Sequence, residues 1–503
     1  MGDPKQCEIY LGKIMSQYKS ILKATSIFGG TQLLQIIINI ARAKFVAIFI
    51  GAMGMGIASM YSSTLAFMIT LFGAGINVSV VRDISKAYDE SDINKVALII
   101  GIFRRILIVL TLLGTISVIV LSPLLSSWGF HDDSEVQNFC WLSLMLFFTL
   151  LQQGNTALLI SLRRIKDVAK CSLLSSFVTL LVSVPFFYFL RLDGIVPGFI
   201  ISTFAGYLIS LYYANKVELP NIRISIIDIK KYGRSILLLG LAMVVSQLLG
   251  NLATYVINVS ISRIGSMEDI GYYNAGINIT MQSIMLIFSA MASDYYPRLS
   301  ASIGNKTLFN ETINQQTEII LYLATPILLV LELSAPLVTK ILLSEEFCVI
   351  IPFLRLLCVG MVVKAASYAL GYVSFASGDK KIFLLLEGIY GNFTNVLLSI
   401  FFYWIWGLNG LAISFIVNFI LYYIIVMIVV VKRYGYVFDI GLAKLTFYSI
   451  LLISLMTILS NIMTDASFMI IGTVLCLIVS FYYIRLLEQK TGMLNIFINK
   501  IIK

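Results

Sequence analysis

The chain alternates long apolar stretches with short polar ones over almost its whole length. About 20 consecutive apolar residues form a helix that crosses the hydrocarbon core of a bilayer. About 14 stretches are of this kind, near residues 25–50, 57–81, 96–122, 138–162, 171–190, 195–215, 234–262, 270–294, 314–338, 350–374, 382–404, 409–431, 445–462 and 467–486. The pattern predicts an all-α polytopic integral membrane protein with about 14 transmembrane helices.

Composition and charge agree with this class. The chain is 59% hydrophobic and 12% charged, whereas soluble domains have about 25% charged residues. If the N-terminus is cytoplasmic, most of the 36 Lys and Arg residues fall in cytoplasmic loops and tails, as the positive-inside rule requires. The net charge of +10 is then a topology signal, and no nucleic-acid partner is expected. The tryptophans fall at the outer interface: Trp128, Trp141, Trp404 and Trp406.

Two short segments recur along the chain. Ile50-Gly51-Ala52-Met53 returns as Ile264-Gly265-Ser266-Met267, and Leu192-Asp193-Gly194-Ile195 returns as Leu408-Asn409-Gly410-Leu411. Both pairs have an offset of about 215 residues, which indicates an internal repeat. Arg82 and Arg298 lie at a similar offset. Each copy holds six helices, and because six is an even number both copies enter the membrane in the same direction.

The repeat predicts two six-helix lobes related by a pseudo-two-fold axis along the membrane normal, with a cavity between them. Two extra C-terminal helices lie outside the repeat. The predicted divisions are a cytoplasmic N-terminal segment 1–24, the lobes 25–215 and 234–431 with a cytoplasmic linker 216–233, helices 13 and 14 within 432–486, and a cytoplasmic tail 487–503.

A polar stripe follows one face of the first helix. At about 100° per residue, Gln32, Gln35, Asn39 and Arg42 lie within a narrow sector, while Lys44 points nearly the opposite way. A cation at the centre of a bilayer costs at least about 2.5 kcal/mol, so Arg42 suggests a function. We interpret the stripe as a wall of the cavity and Lys44 as a side chain that snorkels to the interface. The alternative is that the stripe joins neighbouring helices.

The second lobe has matching polar faces. On helix 7 they are formed by Gln247, Asn251, Thr254 and Asn258, and on helix 8 by Asn274, Asn278 and Gln282. We assign these polar side chains to the cavity wall. The alternative is again structural, because amides bridge transmembrane helices at about 0.6 kcal/mol each.

Lys364 is the deepest cation, near the middle of helix 10. Arg355, on the opposite side of that helix and nearer its outer end, is expected to snorkel. We treat Arg42 and Lys364 as substrate-binding residues, because guanidinium and ammonium groups in a transport pathway suit phosphate or pyrophosphate. A shared anion would bridge the two lobes. Candidate gate or coupling residues are Arg82, Asp294, Arg298, Arg355 and Glu387, with Glu332 as a further acid and Asp294 expected to pair with Arg298.

Several enzyme classes lack support. The sequence has no P-loop, no HExxH motif and no Cys/His cluster, so neither a cofactor nor a metal is expected. The longest predicted outer loop, SPLLSSWGFHDDSEV, is short for a membrane glycan polymerase, which usually needs a larger loop to hold catalytic carboxylates. The sequence therefore argues against an enzyme.

Four segments carry a family resemblance: LFGAGINVSVVRDIS, IGYYNAGINI, SDYYPRLSAS and ASGDKKIFLLLEGI. Together they resemble motifs of the polysaccharide and O-antigen flippases, within the superfamily of multidrug, oligosaccharidyl-lipid and polysaccharide exporters. The likeness covers roughly residues 20–435. It implies two lobes around a cationic cavity, location in the bacterial cytoplasmic membrane, and export of an undecaprenyl-pyrophosphate-linked oligosaccharide by alternating access.

Three other functions remain open: a drug or cation antiporter of the same superfamily, a flippase for the lipid-linked peptidoglycan precursor, and a membrane glycan polymerase. Drug and cation exporters of the superfamily commonly carry an acidic residue in the first helix, and none occurs between Thr25 and Ile50. The expected partners are the lipid-linked glycan, a proton or ion, and other polysaccharide-assembly membrane proteins, with the flippase itself a monomer.

Overall fold

A computed structural model describes residues 4–220, 222 and 224–491, with the backbone alone for residues 4–29 and for some positions within 226–243, 290–293 and 491. Residues 1–3 of the predicted N-terminal segment and 492–503 of the predicted tail lie outside the described residues. The described chain is helical and contains no strand. Its α-helices are α1 (Pro4–Gly73), α2 (Ile76–Asp89), α3 (Ile93–Phe130), α4 (Val136–Ser161), α5 (Ile165–Leu190), α6 (Ile195–Asn215), α7 (Ile226–Ile264), α8 (Met267–Ser302), α9 (Lys306–Leu333), α10 (Ala335–Leu342), α11 (Ile351–Ala376), α12 (Lys380–Phe383), α13 (Gly391–Tyr434), α14 (Ile440–Ile462) and α15 (Asp465–Thr491).

Ten helical stretches of the described chain are long and apolar enough to cross a membrane. Three of them, Gly30–Gly73, Ile165–Asn215 and Lys380–Tyr434, have 44, 51 and 55 residues. At 1.5 Å per residue even 44 residues would extend about 66 Å, twice the hydrocarbon thickness. Each of the three is interrupted, and a bent pair of helices, Met267–Ser289 and Asp294–Ser302, adds a further span. Each of the three interrupted stretches counts as two crossings and the bent pair as one, and with the other seven stretches the described chain has the 14 crossings predicted from the sequence.

The interruptions coincide with the repeated sequence segments. Gly51 has a left-handed φ of 66° within α1, and Gly407 has a φ of 56° within α13. The chain turns back after Gly407, since the Oγ atoms of Ser399 and Ser414 lie 3.3 Å apart. Ile264 ends α7, and the Ser266 side chain accepts a hydrogen bond from the backbone N–H of Asp269 to cap α8.

The second repeated segment has the same backbone role in both copies. A short 3₁₀ turn at Arg191–Gly194 joins α5 to α6, and a Cβ on Gly194 would overlap the carbonyl oxygen of Phe186. A Cβ on Gly410 would overlap the carbonyl oxygen of Phe402 in the same way. Glycine is required at both positions because the preceding helix lies against the turn.

One predicted helix boundary is wrong. The sequence placed helix 2 at 57–81, closed by Arg82, but α1 ends at Gly73 and Arg82 belongs to the separate amphipathic helix α2. Ala74 and Gly75 have left-handed φ values of 47° and 62°, which end the helix. Gly75 lies against the backbone of Gly240, where a Cβ would overlap the carbonyl oxygen.

The chain divides into two compact units. Unit 1 contains residues 1–50 and 61–248, and unit 2 contains residues 51–60 and 249–503. In unit 1, α2, α3 and α4 enclose an apolar core. Its fully buried members include Ile76, Val80 and Ile84 of α2 and Phe103 of α3. The division of the transport fold into lobes 25–215 and 234–431 stays a prediction.

In unit 2, α11 is the central helix and packs against α8, α9, α13 and α14. Its side chains are apolar almost all round, which is the pattern of a helix enclosed by others. The two C-terminal helices, α14 and α15, both pack on α9. The buried face of α11 includes Leu354, Leu357, Met361, Val362 and Ala366.

Candidate substrate-binding cations

Arg42 lies on α1 in unit 1, on the polar stripe predicted from the sequence. Its Nε is buried and has no hydrogen-bond partner among the described residues, and no described carboxylate forms an ion pair with the guanidinium. Gln32 and Gln35 are half-buried and Asn39 is exposed. Arg42 as a whole is half-buried, and a buried donor of a cation that lacks a partner is costly, so Arg42 is suited to bind an anion.

Lys364 lies on α11 in unit 2, in an apolar and aromatic setting. Its Nζ is 3.4 Å from the sulfur of Met281 and lies 5.1 Å from the ring centroid of Phe419 and 6.0 Å from that of Phe415. Aromatic faces attract a cation weakly, by about 0.5–2 kcal/mol. No described carboxylate forms a direct ion pair with Lys364, so its ammonium group, like the Arg42 guanidinium, lacks a fixed counter-ion.

Glu387 is the acid whose charge acts on Lys364. It belongs to a π-helical turn, Leu384–Tyr390, between α12 and α13. Tyr422 donates a hydrogen bond to its carboxylate. Nothing in the local sequence signals this turn, because the residues form an ordinary apolar run.

The polar side chains predicted on helices 7 and 8 divide between two environments. Asn258 is buried, and its side-chain oxygen accepts a hydrogen bond from Asn274 at 3.2 Å, linking α7 to α8. This pair fits the helix-bridging alternative that the sequence left open. Gln247, Thr254 and Asn278 are exposed, and Asn251 and Gln282 are half-buried. Their place in a transport pathway stays a prediction.

The candidate gate residues Asp294 and Arg298 form the expected ion pair, with 2.6 Å between Oδ2 and Nη2. Arg298 also donates to the side-chain oxygen of Gln316 at 2.9 Å. Arg82 pairs with its neighbour Asp83 at 2.8 Å. The arginines of both pairs are well exposed.

Arg355 does not snorkel, which corrects the expectation from its sequence position. It is buried, and its guanidinium lies 4.8 Å from the ring centroid of Phe468 on α15. Glu332 lies within electrostatic range of Arg355 and accepts a hydrogen bond from Thr457 of α14 at 2.5 Å. Phe468 of α15 covers the Arg355 guanidinium, and α14 packs on the same helix, α11, so Arg355 is buried.

Among the described residues, no three His, Cys, Asp or Glu side chains are grouped as a metal site requires. Arg42 in unit 1 and Lys364 in unit 2 are half-buried and form no ion pair with a described carboxylate. Arg355, which is more deeply buried, also forms none. Polar side chains lie on α1, α7 and α8.

Comparison with known proteins identifies the class. A family model described as "Polysaccharide biosynthesis protein" matches residues 19–302. The chain belongs to this family of polysaccharide biosynthesis proteins. A search of curated proteins finds no match.

Solved structures share the fold. The chain is similar to the lipid II flippase MurJ in an inward closed conformation, with a TM-score of 0.70 and 15% identity over 92% of this chain and 98% of that one. It is also similar to an inward-facing multidrug resistance MATE family transporter of the MOP superfamily, with a TM-score of 0.68 and 17% identity over 82% and 96% of the two chains. The protein is thus a multi-pass membrane protein with the fold of these transporters.

Proposed function

We propose that the protein is a flippase that moves an undecaprenyl-pyrophosphate-linked oligosaccharide, such as an O-antigen or capsule repeat unit, across the bacterial cytoplasmic membrane by alternating access. The membership in a polysaccharide biosynthesis family and the transporter fold support this proposal. The single observation that carries the chemistry is that two half-buried cations in apolar helices, Arg42 and Lys364, form no ion pair with a described carboxylate.

The proposed role of Arg42 and Lys364 follows from the charge of the substrate. An oligosaccharide alone offers neutral hydroxyls, which would not compensate a cation held inside a membrane protein. A pyrophosphate diester offers about two negative charges, and hydrogen bonds to a charged group contribute about 1.5–3 kcal/mol each. Arg42 and Lys364 therefore contact the pyrophosphate, and the exposed amides contact the glycan.

The second candidate is a flippase for a lipid-linked peptidoglycan precursor, supported by the likeness to the lipid II flippase. A lipid-linked peptidoglycan precursor also contains a pyrophosphate, so Arg42 and Lys364 could bind either substrate in the same way. A drug or cation antiporter is less well supported, since α1 carries cationic Arg42 and no acid between Thr25 and Ile50. Deletion of the gene separates the candidates by which lipid-linked glycan accumulates at the inner leaflet.

We expect Arg42→Gln and Lys364→Gln each to reduce glycan export by about tenfold or more, because each removes a charge-assisted contact of about 1.5–3 kcal/mol. Lys364→Arg should be milder than Lys364→Gln, because it keeps the charge. Export is measured as surface glycan in cells, with membrane insertion checked by immunoblot. Matched controls are Lys44→Gln on the same helix and Lys340→Gln, whose ammonium pairs with Glu345 in the exposed part of unit 2. Wild-type export by both Gln variants would contradict the anion-binding role.

A further inference from the structure

One face of α11 is open, although the rest of the helix is enclosed. Between residues 357 and 374 every residue is buried except at four positions, and the next residue is exposed. At about 100° per residue, these five positions fall within about 100° of one another, so they lie on one face. They form the α11 stripe, which consists of Lys364, Tyr368, Gly371, Tyr372 and Phe375.

Helices α8 and α13 border the α11 stripe. At its cationic end the bordering side chains are Met281 of α8 and Phe419 of α13. Further along, a Cβ on Gly371 would stand 2.8 Å from the Tyr422 hydroxyl and 3.1 Å from Oε1 of Glu387. Because position 371 has no side chain, these two polar groups reach the stripe.

Contacts with α8 fix the aromatic rings of the α11 stripe. Tyr368 stacks on Phe288, with ring centroids 4.1 Å apart and planes 9° apart. Its hydroxyl donates to the carbonyl oxygen of Phe288 at 3.3 Å and lies 3.3 Å from the hydroxyl of Tyr372. Phe375 lies against Tyr296, with 5.0 Å between the ring centroids, and both are exposed. The rings are therefore held in place while part of their surface stays accessible.

The position of the α11 stripe favours a polar occupant over lipid. Aromatic residues also gather where membrane helices meet the lipid interface. Tyr368, however, lies eight residues, or about 12 Å, before the end of α11 at Ala376. Lys364 lies deeper still, where a cation that faces hydrocarbon is costly.

A sugar combines the chemistry that the α11 stripe offers. The C–H groups on the face of a pyranose ring carry a partial positive charge and pack on the negative face of an aromatic ring. The hydroxyl groups of a sugar form hydrogen bonds with tyrosine hydroxyls and carboxylates, which Tyr372 and Glu387 supply. Phe375 lies eleven residues, or about 16 Å, along the helix from Lys364. The stripe is therefore long enough for a short oligosaccharide.

We propose that the α11 stripe is a sugar-binding subsite, in which pyranose rings pack on its aromatic side chains while the pyrophosphate linked to the first sugar binds Lys364. The stacking residues are Tyr368, Tyr372 and Phe375. The first sugar lies at Tyr368, about one helical turn from Lys364, and later sugars lie toward Phe375.

This inference rests on the proposed function and adds a subsite for the glycan to the anion site. It predicts that a sugar strengthens binding beyond what the pyrophosphate alone provides. Stacking of a ring on one aromatic side chain corresponds to about a tenfold gain in affinity.

The test uses the purified full-length protein in detergent and two soluble probes of equal charge that differ only in the sugar. The sugar probe is farnesyl pyrophosphate linked to N-acetylglucosamine, and the methyl probe is the methyl ester of farnesyl pyrophosphate. Calorimetry measures both affinities. We expect the wild type to bind the sugar probe about tenfold more tightly than the methyl probe.

Variants of Tyr368 separate the ring from the hydroxyl. Tyr368→Leu should weaken the sugar probe about tenfold and leave the methyl probe unchanged, because Lys364 is untouched. Tyr368→Phe keeps the ring and should keep the preference for the sugar. Phe401→Leu changes an exposed aromatic residue of α13 outside the stripe and is the control.

The position of Phe375 gives a second, independent measurement. With a probe that carries three N-acetylglucosamine units, Phe375→Leu should weaken binding about tenfold, whereas binding of the single-sugar probe should not change. Thermal melting confirms that each variant is folded, and Phe375→Leu carries the test if Tyr368→Leu is not.

The inference and the proposed function fail in distinguishable ways. If the wild type binds the sugar and methyl probes equally well, or if Tyr368→Leu keeps the preference for the sugar, the stripe is not a sugar subsite while the anion site stands. If the wild type binds neither probe, or if Lys364→Gln binds both as well as the wild type, the anion site fails together with the inference.

Labelling distinguishes a sugar from lipid on the same face. In a background lacking the native cysteines, Tyr372→Cys should react with a water-soluble thiosulfonate, and the three-sugar probe should slow this reaction. Absence of reaction would show that lipid covers the stripe and would overturn the inference.

Discussion

Asp379 lies in the turn between α11 and α12, outside the membrane-spanning helices, and its carboxylate forms an ion pair with Arg433. It accepts hydrogen bonds from Nε of Arg433 at 2.7 Å and from the backbone N–H of Ile382 at 3.3 Å. Burial raises the pKa of Asp379, but the hydrogen bonds from Arg433 and Ile382 and the charge of Arg433 together lower it more, so the pKa lies below its ordinary value.

A carboxyl group with a lowered pKa in the folded state stabilises that state above its unfolded pKa, and the contribution disappears as the pH falls through the folded value. We therefore expect Asp379→Asn to lower the melting temperature at neutral pH. The difference from the wild type should shrink below about pH 4, the ordinary range for Asp. Asp133→Asn, in the exposed turn before α4, is the control. A difference independent of pH would contradict the assignment.

For single residues, the sequence shows which positions are charged but not which side chains they contact in the folded protein. Arg42 and Lys364 stand out because a cation inside an apolar run is costly whatever surrounds it. The burial of Arg355 depends on Phe468, more than a hundred residues later, so no local pattern shows that it cannot reach the interface. The contact of Glu387 with Tyr422 is likewise a product of tertiary packing.

Residues 51–60 and α8 lie in direct backbone contact within unit 2. A Cβ on Gly56 would overlap the carbonyl oxygen of Met267, and a Cβ on Gly271 would overlap that of Ala52. Glu346 completes the contact, because its carboxylate accepts a hydrogen bond from the backbone N–H of Ala52 at 3.2 Å. Small residues let two membrane helices bring their backbones into direct contact.

We expect Gly56→Ala to destabilise the protein by about 1–3 kcal/mol, because the added methyl group meets backbone atoms that cannot rotate away. Gly304→Ala is the matched control, since a Cβ there has open space around it. Thermal unfolding in detergent measures both. Equal melting temperatures for the two variants would show that the helices separate without cost.

Some structural elements can be predicted from their local sequence, and others cannot. The glycine-containing repeats mark the breaks at Gly51 and Gly410, because only glycine tolerates the left-handed φ of the first and the backbone contact of the second. The π-helical turn around Glu387 has no such marker, since its residues suit a regular helix equally well. The close contact at Gly56 is also hidden, because glycine is common in membrane helices.

For the whole molecule, hydropathy predicts the fold well because a bilayer leaves few alternatives. Backbone groups in hydrocarbon must be satisfied within the chain, so an apolar run of sufficient length becomes a helix. Gly194 and Gly410 occupy corresponding positions of the two sequence repeats, and each lies against a carbonyl oxygen of the preceding helix. Hydropathy carries no information on which faces of the helices meet, and the candidate site depends on those faces.

The predicted repeat and the charge bias together fix a topology that labelling can test. If both copies enter the membrane in the same direction, the turns before α4 and α11 lie outside, and those before α5 and α12 lie inside. In a background lacking the six native cysteines, Asp133→Cys and Glu345→Cys should react with an impermeant maleimide in intact cells. Lys166→Cys and Lys381→Cys, also exposed, should react only after permeabilisation. If either matched pair splits between the two faces, the copies are not oriented alike and the lobes 25–215 and 234–431 cannot be repeats of this kind.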